Sequence, residues 1–404
     1  MKRLMVIAGG TWQIPIIKKA KELGYEVLNS NLYEDSPGFE FSDFTAVSDV
    51  RDKEKNLEFA KQYDIDGVLT DQSDIAVPTV AYVAENTGCK TIGSDMAQLF
   101  TNKFKMREFC NKEGFAVPEY RLCTTKEEAL DFFENLNAKA IIKPLDSQSS
   151  RGIYVIENKE DIEEKFDLSM SFTSTKKYVL IERYITGTEF TVDGIVINGK
   201  HHTLAISEKA HFAYNKNIAS ELFFSYNNDK FDYDEIRRCD DALVERAGLP
   251  FGLTHAEYKY EDGKFYLIEI AARGGGTKIS SDIVPYLSGI DNYEFLIKSA
   301  LDEEIDRNLN FNVSDEDKKK CAVLKFLDIE SKGKKIKSIN GVDEIKNMPH
   351  VVDFSLEFDI GDVVTKAEDD RSRVGYFIVC APDRQSVIDT SIAIKDTLKI
   401  EFFE

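Results

Sequence analysis

The first hundred residues of the chain alternate between short apolar runs and helical segments, and this alternation restricts the fold more than any other feature. Leu4–Ala8 is an apolar run that ends at Gly9-Gly10, and Ile14–Leu23 has helical periodicity up to Gly24. Residues 25–28, 53–63, 67–70 and 77–87 continue the pattern as strand, helix, strand and helix. Strands alternating with helices of this length predict a parallel, doubly wound sheet.

The glycine pair after the first strand raises the question of a dinucleotide site. The sequence lacks the full G-x-G-x-x-G pattern, and the second strand is not followed by a well-placed acidic residue. Open α/β sheets bind ligands beyond the carboxyl ends of their strands. A small-molecule or interdomain role for this loop is therefore favoured over a dinucleotide.

The middle of the chain has a different pattern, that of antiparallel hairpins. Residues 139–156 form a strand, a loop and a strand, and residues 177–206 form several strands with turns at Thr186-Gly187 and Asn198-Gly199. Residues 255–276 contain a further hairpin that turns at Asp262-Gly263. After a charged stretch at 313–321, strands are predicted at 322–327, 351–357 and 375–380, and a helix at 384–398. This end of the chain is predicted to be a small α+β module.

Composition limits the classes of partner. The chain has 404 residues, enough for two to four domains, and a formal net charge of −20. Such an acidic surface repels nucleic acids and anionic membranes, so we expect neither as a partner. The six cysteines include no C-x-x-C pair, which indicates reduced thiols in the cytoplasm, and no apolar run is long enough for a signal peptide or a membrane span.

Lys143 ends an apolar strand and is followed by Pro144 and a small polar loop that closes at Gly152. Such a loop can turn backbone N–H groups and hydroxyls toward phosphate oxygens, with the lysine as a compact charge beside them. A plain surface hairpin would have a similar sequence. Lys103 lies on a predicted helix, where a surface lysine is the default, and only its combination with the other features marks it as a candidate.

Glu257 and Glu269 lie on two apolar strands that the Asp262-Gly263 turn connects. Neighbouring carboxylates repel each other unless a cation lies between them, and Mg²⁺ prefers hard oxygen ligands. Cross-strand surface acids are the alternative.

Arg273 precedes three consecutive glycines, Gly274–Gly276. The glycines suit a close approach of backbone to a ligand, and the arginine suits a phosphate or carboxylate.

The segment "VLIERYITGTEF" contains Glu182 and Glu189. Extended backbone can bind the edge of an adenine, and a carboxylate a few residues on can accept both ribose hydroxyls. A hairpin with ordinary surface acids is the alternative.

In this order along the chain, these features resemble the ATP-grasp superfamily. The resemblance covers nearly the whole sequence and implies an α/β domain at 1–100, an ATP-grasp domain at 101–312 with a nucleotide-binding subdomain at about 122–188, and a C-terminal α+β domain at 313–404. The last of these resembles the closing domain of amino-acid ligases in the biotin carboxylase-like branch, by its segment "DDRSRVGYFIVCAPD".

The resemblance also implies roles for individual residues. Lys103 and Lys143 would contact the α- and β-phosphates of ATP, and Ser147–Gly152 would form the lid, with Ser147, Ser149, Ser150 and Gly152 as nucleotide contacts. Glu182, Arg183 and Tyr184 would present the adenine hinge, largely through backbone, and Glu189 would hold the ribose. Glu257 and Glu269 would bind Mg²⁺, or alternatively Mn²⁺. Arg273 would be catalytic, with Lys143, and would bind substrate together with Gly274, Gly275 and Gly276.

Two positions stand apart from the family pattern. Many relatives have Asn two residues after the second metal-binding Glu, where this chain has Ala271, so a second Mg²⁺ would be held differently or less firmly. His211 lies where some relatives place a histidine that contacts the nucleotide. An ordinary loop histidine fits its context equally well.

The resemblance implies an ATP-dependent carboxylate–amine ligase, which makes an amide or peptide bond through an acyl phosphate and releases ADP and phosphate. Its expected partners are a small carboxylate and an amine, and because related enzymes are often dimers, a homodimer is also open. A carboxylase that activates bicarbonate is the first alternative. A non-catalytic ATP-binding protein is the second.

Overall fold

The computed structural model of the chain describes residues 1–145, 151–173, 177–305 and 310–403. The N-terminal part is a sheet of parallel strands in the order β3-β2-β1-β4, which confirms the prediction from the strand–helix alternation. Its elements are β1 (Arg3–Ile7), α1 (Ile14–Glu22), β2 (Glu26–Asn31), β3 (Phe44–Val47), α2 (Lys53–Gln62), β4 (Gly67–Leu69) and α3 (Val77–Thr87). Asp52 caps α2 by accepting a hydrogen bond from the Lys55 N–H, and Gly88 ends α3 in the left-handed region.

Two helices, α4 (Ser94–Leu99) and α5 (Lys103–Glu113), lead to a small antiparallel sheet with the order β5-β8-β6-β7. This sheet and its helices comprise β5 (Tyr120–Cys123), α6 (Lys126–Leu136), β6 (Ala140–Pro144), β7 (Tyr154–Ile156), α7 (Lys159–Ser171) and β8 (Val179–Arg183). Helices α6 and α7 both begin with a capping box, at Thr125 and Asn158. They cover one face of the small sheet and bury residues such as Phe132, Ile162 and Phe166.

A long antiparallel sheet follows. Its first half comprises β9 (Thr188–Ile197), β10 (Lys200–Phe212), β11 (Asn215–Ser225), α8 (Tyr233–Ala247), β12 (Gly252–Glu261) and β13 (Lys264–Ala271). The β9–β10 and β12–β13 hairpins turn at Asn198-Gly199 and Asp262-Gly263, where all four residues have positive φ, as their sequences predicted. A π-helical turn at Ile279–Ile283 then leads into α9 (Val284–Ser288) and α10 (Asn292–Ala300).

The C-terminal strands extend this same sheet. The segment comprises β14 (Cys321–Phe326), β15 (Ile336–Asn340), α11 (Val342–Lys346), β16 (Val351–Leu356), β17 (Gly375–Ala381), α12 (Arg384–Thr397) and β18 (Lys399–Phe402). Strand β14 pairs with β11, so the 8-stranded order is β13-β12-β9-β10-β11-β14-β17-β16. Strands β15 and β18 pair separately.

The two faces of the large sheet have different characters, because side chains alternate along each strand. On β9 and β12, Phe190 and Tyr258 are fully buried in the core that packs against α8. Their neighbours in sequence, Glu189 and Glu257, point to the other face. All six cysteines are free thiols, and none of the helices in the described ranges is long and apolar enough to cross a bilayer.

Candidate active site

The charged face of the large sheet opens into a cleft of about 790 Å³. The N-terminal sheet contributes loop residues such as Trp12 and Asp74, the small sheet contributes Lys143 and Glu182, and the C-terminal segment contributes Arg373. Every part of the chain described above therefore meets at this cleft, which is the expected place for a ligand that several domains bind together.

Glu257 and Glu269 are directly opposite each other on β12 and β13. A β-bulge follows this pair, between Glu257 and Tyr258, and increases the local twist of the hairpin. Lys103, the first residue of α5, reaches the pair and donates from Nζ to Glu269 Oε1 at 2.7 Å. Lys103 is only 3% exposed. Glu269 thus contacts a buried ammonium at the cleft wall.

Glu189 lies in a row of alternating charges that crosses three strands. Its register partner on β10 is Lys209, and its register partner on β12 is Lys259. Lys209 Nζ lies 2.6 Å from Glu189 Oε1 and 2.8 Å from Glu257 Oε1, so this one ammonium joins both carboxylates. His211 Nε2 lies 3.3 Å from Glu189 Oε2.

These charges stabilise one another in the buried site. Burial alone would raise the pKa of Glu189, but the charge of Lys209 outweighs that effect and lowers it. The same balance, burial against Lys209, lowers the pKa of Glu257. Burial would lower the pKa of Lys209, whereas the two carboxylates raise it. All three groups are therefore ionised at neutral pH.

A second buried ionic group connects the small sheet to α5. Glu182 on β8 accepts from Arg107 Nε at 2.8 Å and also from Lys143 Nζ. Arg107 lies one helical turn after Lys103, so both cations leave α5 on the same side. Burial opposes the ionisation of Glu182, but Arg107 and Lys143 outweigh it and lower the pKa of Glu182 to about 2. Burial lowers the pKa of Lys143 despite this carboxylate.

The backbone N–H groups of the two residues after Glu182 already donate hydrogen bonds within the protein. The N–H of Arg183 donates to Glu119 O at 2.8 Å, and the N–H of Tyr184 donates to Lys139 O at 2.9 Å. The Arg183 side chain turns away to Glu119 and Glu261. Tyr184 and Ile185 line the cleft, whereas Arg183 does not.

Arg273 is held by an aspartate of the N-terminal sheet. Its Nε and Nη2 donate to Asp74 Oδ1 and Oδ2 at 2.9 and 2.8 Å. Its Nη1 donates to the carbonyl of Gly274 at 2.9 Å. Burial would lower the pKa of Arg273, but Asp74 raises it, and in return Arg273 lowers the pKa of Asp74 against the effect of burial.

The glycines after Arg273 are also fixed from the N-terminal sheet. Asp71 is fully buried and accepts hydrogen bonds from Gly274 N, Ser280 Oγ and Tyr293 OH at 2.9, 2.8 and 2.5 Å. A Cβ on Gly275 would lie 2.7 Å from Asp193 Oδ1, whereas a Cβ on Gly276 would meet nothing within 4 Å. Backbone here packs so tightly that only glycine fits at 275.

Most of the residues singled out from the sequence come together in this cleft. Those that line it are Lys103, Lys143, Glu182, Tyr184, Glu189, His211, Glu257, Glu269, Arg273 and Gly276. Gly274 and Gly275 lie behind the wall, and Gly152 packs under Phe172 with φ of +72°. Ser147, Ser149 and Ser150 lie outside the described residues.

Several residues that build the site were not predicted from the sequence. They are Asp71, Asp74, Arg107, Lys209, Lys259 and Arg373. Asp71 and Asp74 follow β4 at the carboxyl edge of a parallel sheet, which is the general place for functional side chains in such sheets. Lys209 and His211 lie two residues apart on β10, and this spacing is typical of side chains on one face of a strand.

The donor set fits a magnesium ion bound together with phosphate oxygens. In residues 1–145, 151–173, 177–305 and 310–403, no group of three or more His, Cys, Asp or Glu side chains has the arrangement of a complete metal site. Mg²⁺ usually takes one or two protein carboxylates and completes its shell with water and substrate phosphates. The opposed pair Glu257 and Glu269 matches that requirement, and the buried lysines around it match a polyphosphate.

Comparison with known proteins identifies two regions of the chain. Residues 136–282 match the model of an ATP-grasp domain, and residues 325–402 match the model of L-amino acid ligase C-terminal domain 2. The crystal structure of L-amino acid ligase from Bacillus licheniformis superposes with a TM-score of 0.84 at 19% identity, over 100% of this chain and 99% of that one. The biotin carboxylase domain of 2-oxoglutarate carboxylase from Hydrogenobacter thermophilus, in complex with MgADP and bicarbonate, gives 0.75 at 16% identity over 100% and 91%.

Among curated proteins, the formate-dependent phosphoribosylglycinamide formyltransferase of Prochlorococcus marinus is 24% identical over 201 residues. The match covers 47% of this chain and 50% of the relative, so the two share about half of their lengths. At these identities, likeness to solved structures establishes the fold. The chain therefore contains an ATP-grasp domain and, after it, the second C-terminal domain of the L-amino acid ligases.

Proposed function

We propose that this protein is an ATP-dependent carboxylate–amine ligase that forms an amide or peptide bond through an acyl phosphate and releases ADP and phosphate. One observation carries the proposal. A single cleft joins the opposed carboxylates Glu257 and Glu269, the anchored Arg273 and the segment that matches the L-amino acid ligase C-terminal domain. Nucleotide, acyl group and amine would therefore meet in one cleft.

In this proposal the small sheet and the charged row hold the nucleotide. Tyr184 and Ile185 line the cleft and would flank the adenine. Because the N–H groups of Arg183 and Tyr184 already donate hydrogen bonds within the protein, the edge of the adenine would contact carbonyl groups of this segment and the backbone of Ile185. Glu189 accepts the ribose hydroxyls, with His211 beside it. Gly152 closes the loop whose serines would cover the phosphates.

Lys103 and Lys143 bind phosphate oxygens in the proposed complex. Both are nearly fully buried and both now donate to carboxylates, Lys103 to Glu269 and Lys143 to Glu182. Glu182 keeps Arg107 as a second partner, so Lys143 can turn to a phosphate without leaving that carboxylate unpaired. Such exchange of partners keeps every buried charge compensated, as a low-dielectric site requires.

Glu257 and Glu269 would hold Mg²⁺, which supplies charge neutralisation of the phosphates when bound. The position two residues after Glu269 is Ala271, which is buried and pairs with His255 in the strand register. A second ion would therefore depend on Glu269 alone. Mn²⁺ is a further candidate for the same oxygen ligands.

Arg273 would stabilise the charge that develops as the substrate carboxylate attacks the γ-phosphorus. Asp74 occupies one edge of its guanidinium, which leaves N–H groups on Nη1 and Nη2 to face the transferred phosphoryl group. The acceptor pocket is bounded by Gly276. An amine then attacks the acyl phosphate and expels phosphate.

The test is a screen for phosphate release from Mg-ATP over pairs of amino acids and other small carboxylates and amines, with mass spectrometry of the products. We expect phosphate release that depends on both partners, together with a condensed product. The variant Glu269→Gln is expected to abolish both. If no pair of partners gives a condensed product, the proposal is wrong.

A second function is favoured by the likeness to the Hydrogenobacter thermophilus structure, which is a complex with bicarbonate. A carboxylase would use the same cleft to activate bicarbonate as carboxyphosphate. Phosphate release that strictly requires bicarbonate, with no condensed amide, would identify that reaction in the same screen.

A further inference from the structure

Lys259 lines the cleft beside Tyr184 and Ile185, but the function proposed above gives it no contact with the ligand. It lies on β12 two residues after Glu257, so its side chain points to the same face of the sheet as that carboxylate. Only 13% of the side chain is exposed. A lysine with so little exposure needs anionic partners or a specific task in the site.

The ammonium of Lys259 lies between the segment Tyr184–Ile185 and the carboxylate of Glu189. Its Nζ is 4.7 Å from the centre of the Tyr184 ring and donates to Ile185 O at 3.4 Å. On the other side, Nζ is 3.7 Å from Glu189 Oε2. One cation therefore joins the segment proposed to bind the edge of adenine to the carboxylate proposed to bind the ribose.

These contacts leave hydrogen-bonding capacity on the ammonium, which has three N–H donors. Within the part of the chain that the structure describes, Lys259 makes one hydrogen bond, the long one to Ile185 O. Its approach to Glu189 is an ion pair at a distance greater than that of a hydrogen bond. Even when one N–H faces each of these two oxygens, a third N–H remains for an acceptor on a ligand in the cleft.

The chemistry of a purine nucleotide indicates which acceptor this is. Adenine has N1 and N6 on its Watson–Crick edge and the acceptor N3 on the side of the ribose, with C2 between N1 and N3. A nucleotide whose Watson–Crick edge contacts the segment Tyr184–Ile185, and whose ribose hydroxyls contact Glu189, must place C2 and N3 between these two groups. Lys259 Nζ lies in that place.

The same position distinguishes adenine from guanine. Guanine carries an amino group on C2, and this group donates hydrogen bonds. In the cleft it would face the ammonium of Lys259, and the Ile185 carbonyl that would otherwise accept from it already accepts from Lys259. A donor that is buried beside a cation and without an acceptor weakens binding, and sites of this kind discriminate strongly between ligands.

We infer that Lys259 selects the base of the nucleotide, because it donates to N3 of adenine and excludes purines with a 2-amino group, such as guanine. This inference rests on the proposed ATP-dependent function and adds a residue that determines which nucleoside triphosphate enters the cleft. Lys259 has no contact with the transferred phosphoryl group in that proposal. Its effect should therefore be measurable in nucleotide binding alone, before a carboxylate or an amine is added.

The experiment measures by calorimetry the Kd of three non-hydrolysable triphosphates in the presence of Mg²⁺. The first is the adenosine compound, the second is its 3-deaza form, in which a C–H replaces N3, and the third is its 2-amino form. The 2-amino compound differs from adenosine only at C2, so it isolates that position from the other differences between adenine and guanine. For the wild type, we expect both modified compounds to bind about 10- to 100-fold more weakly than the adenosine compound.

Lys259→Met removes the charge and keeps an unbranched apolar side chain. In this variant the adenosine and 3-deaza compounds should have Kd values within about 3-fold of each other, because the contact with N3 is lost in both. The 2-amino compound should bind about 10-fold more tightly than it does to the wild type, since Ile185 O is then free to accept from its amino group. A tighter complex is a result that a purely structural role of Lys259 would not produce.

Lys264 offers a matched control. It lies on β13, the strand that pairs with β12, but it is exposed and does not line the cleft formed by the described residues. Lys264→Met makes the same chemical change on the same hairpin and should keep the wild-type Kd for all three compounds. Lys259→Arg keeps a cationic donor at the site and should still disfavour the 2-amino compound.

Several results would overturn the inference. One is a wild type that binds the adenosine and 3-deaza compounds equally, and another is a Lys259→Met variant that binds all three compounds more weakly by the same factor. Failure of every adenine nucleotide to bind would overturn the proposed function as well. If the nucleotides bind but the ligation screen yields no condensed product, only the proposed ligase reaction fails, and the Kd values still decide the role of Lys259.

Discussion

Asp74 and Arg273 form a two-bond ion pair across the cleft, although 199 residues separate them in the chain. Asp74 follows the last strand of the N-terminal sheet, and Arg273 follows the edge strand of the large sheet. The residue proposed to stabilise the transferred phosphoryl group is therefore oriented by a different part of the chain from the one that carries it.

This pair predicts that Asp74 positions Arg273 for catalysis without itself touching the substrate. Asp74→Asn keeps the shape but removes the charge that fixes the guanidinium plane, and we expect kcat to fall about 10- to 100-fold, because small misplacements of catalytic groups have effects of that size. The KM for ATP should change little. Steady-state kinetics with a saturating acceptor measures both quantities.

Asp74→Glu serves as the companion variant, since it keeps the charge and should recover part of the lost kcat. Equal losses in the two variants, or a loss confined to the KM for ATP, would contradict the positioning role.

Glu182 predicts a pH dependence of stability. Its pKa is lowered from 4.5 to about 2 in the folded protein, so its ionic contacts contribute fully above pH 4.5 and are lost as the pH falls toward 2. Glu182→Gln also leaves Arg107 and Lys143 buried without a carboxylate, and we expect a loss of about 3–5 kcal/mol in the free energy of unfolding at pH 7. Urea unfolding of both proteins at several pH values measures the difference.

The difference in the free energy of unfolding between wild type and Glu182→Gln should decrease as the pH falls from 4.5 toward 2. A difference that stays constant with pH would contradict the stabilising role of the ionised Glu182. Asp131→Asn is the surface control, because its pair with Arg121 is well exposed and should contribute less than about 1 kcal/mol.

Substitutions at two adjacent glycines, Gly275 and Gly276, are predicted to differ in their effect on stability. Gly275→Ala would place a Cβ 2.7 Å from Asp193 Oδ1 and 2.8 Å from Ile279 Cγ2, so the loop must shift and we expect a loss of about 1–3 kcal/mol. Gly276→Ala meets nothing within 4 Å and should keep the melting temperature of the wild type. Thermal unfolding of the two variants is the measurement, and similar values for both would refute the packing argument.

A substitution at Asp240, which does not line the cleft, is predicted to stabilise the protein. It is fully buried on α8, accepts a hydrogen bond from Tyr258 OH at 2.8 Å, and its Oδ2 has no hydrogen-bond partner within the described residues. Burial raises its pKa from 3.8 to about 6, although His201 acts in the opposite direction. Because the folded pKa is the higher one, this carboxyl favours folding at low pH and opposes it increasingly as the pH rises from 3.8 through 6.

Asp240→Asn should therefore raise the free energy of unfolding at pH 8, by at most about 3 kcal/mol, and should have little effect near pH 4. Urea unfolding at the two pH values tests this. A variant that is less stable than the wild type at pH 8 would show that the ionised carboxylate is better accommodated than its surroundings indicate.

The sequence predicted the elements of the fold well, because period and turn chemistry are local properties. The alternation over residues 1–87 and the Asn198-Gly199 and Asp262-Gly263 turns needed no long-range information, and each is confirmed. The register that the Asp262-Gly263 turn sets holds as far as Tyr258 and Leu267, and it would place Glu257 opposite Ile268. The β-bulge between Glu257 and Tyr258 shifts the pairing by one residue, so that Glu257 lies opposite Glu269.

The site residues that were not predicted from the sequence are those whose role depends on contacts with distant parts of the chain. Asp74 matters because Arg273 lies against it, and Lys209 matters because β10 pairs with β9 in a register that brings it to Glu189. Neither local sequence differs from an ordinary charged surface. Arg107 is a similar case, since a helical arginine is a surface residue by default and is fully buried here by its pairing with Glu182.

The pairing of β14 with β11 has a consequence for how such enzymes can be recombined. The C-terminal strands are hydrogen-bonded to the sheet that carries Glu189 and Glu257, and β11 would become a bare sheet edge without them. Exposed edges of this kind template aggregation. A chimera that exchanges the C-terminal segment between relatives must therefore first match the register in which β14 pairs with β11.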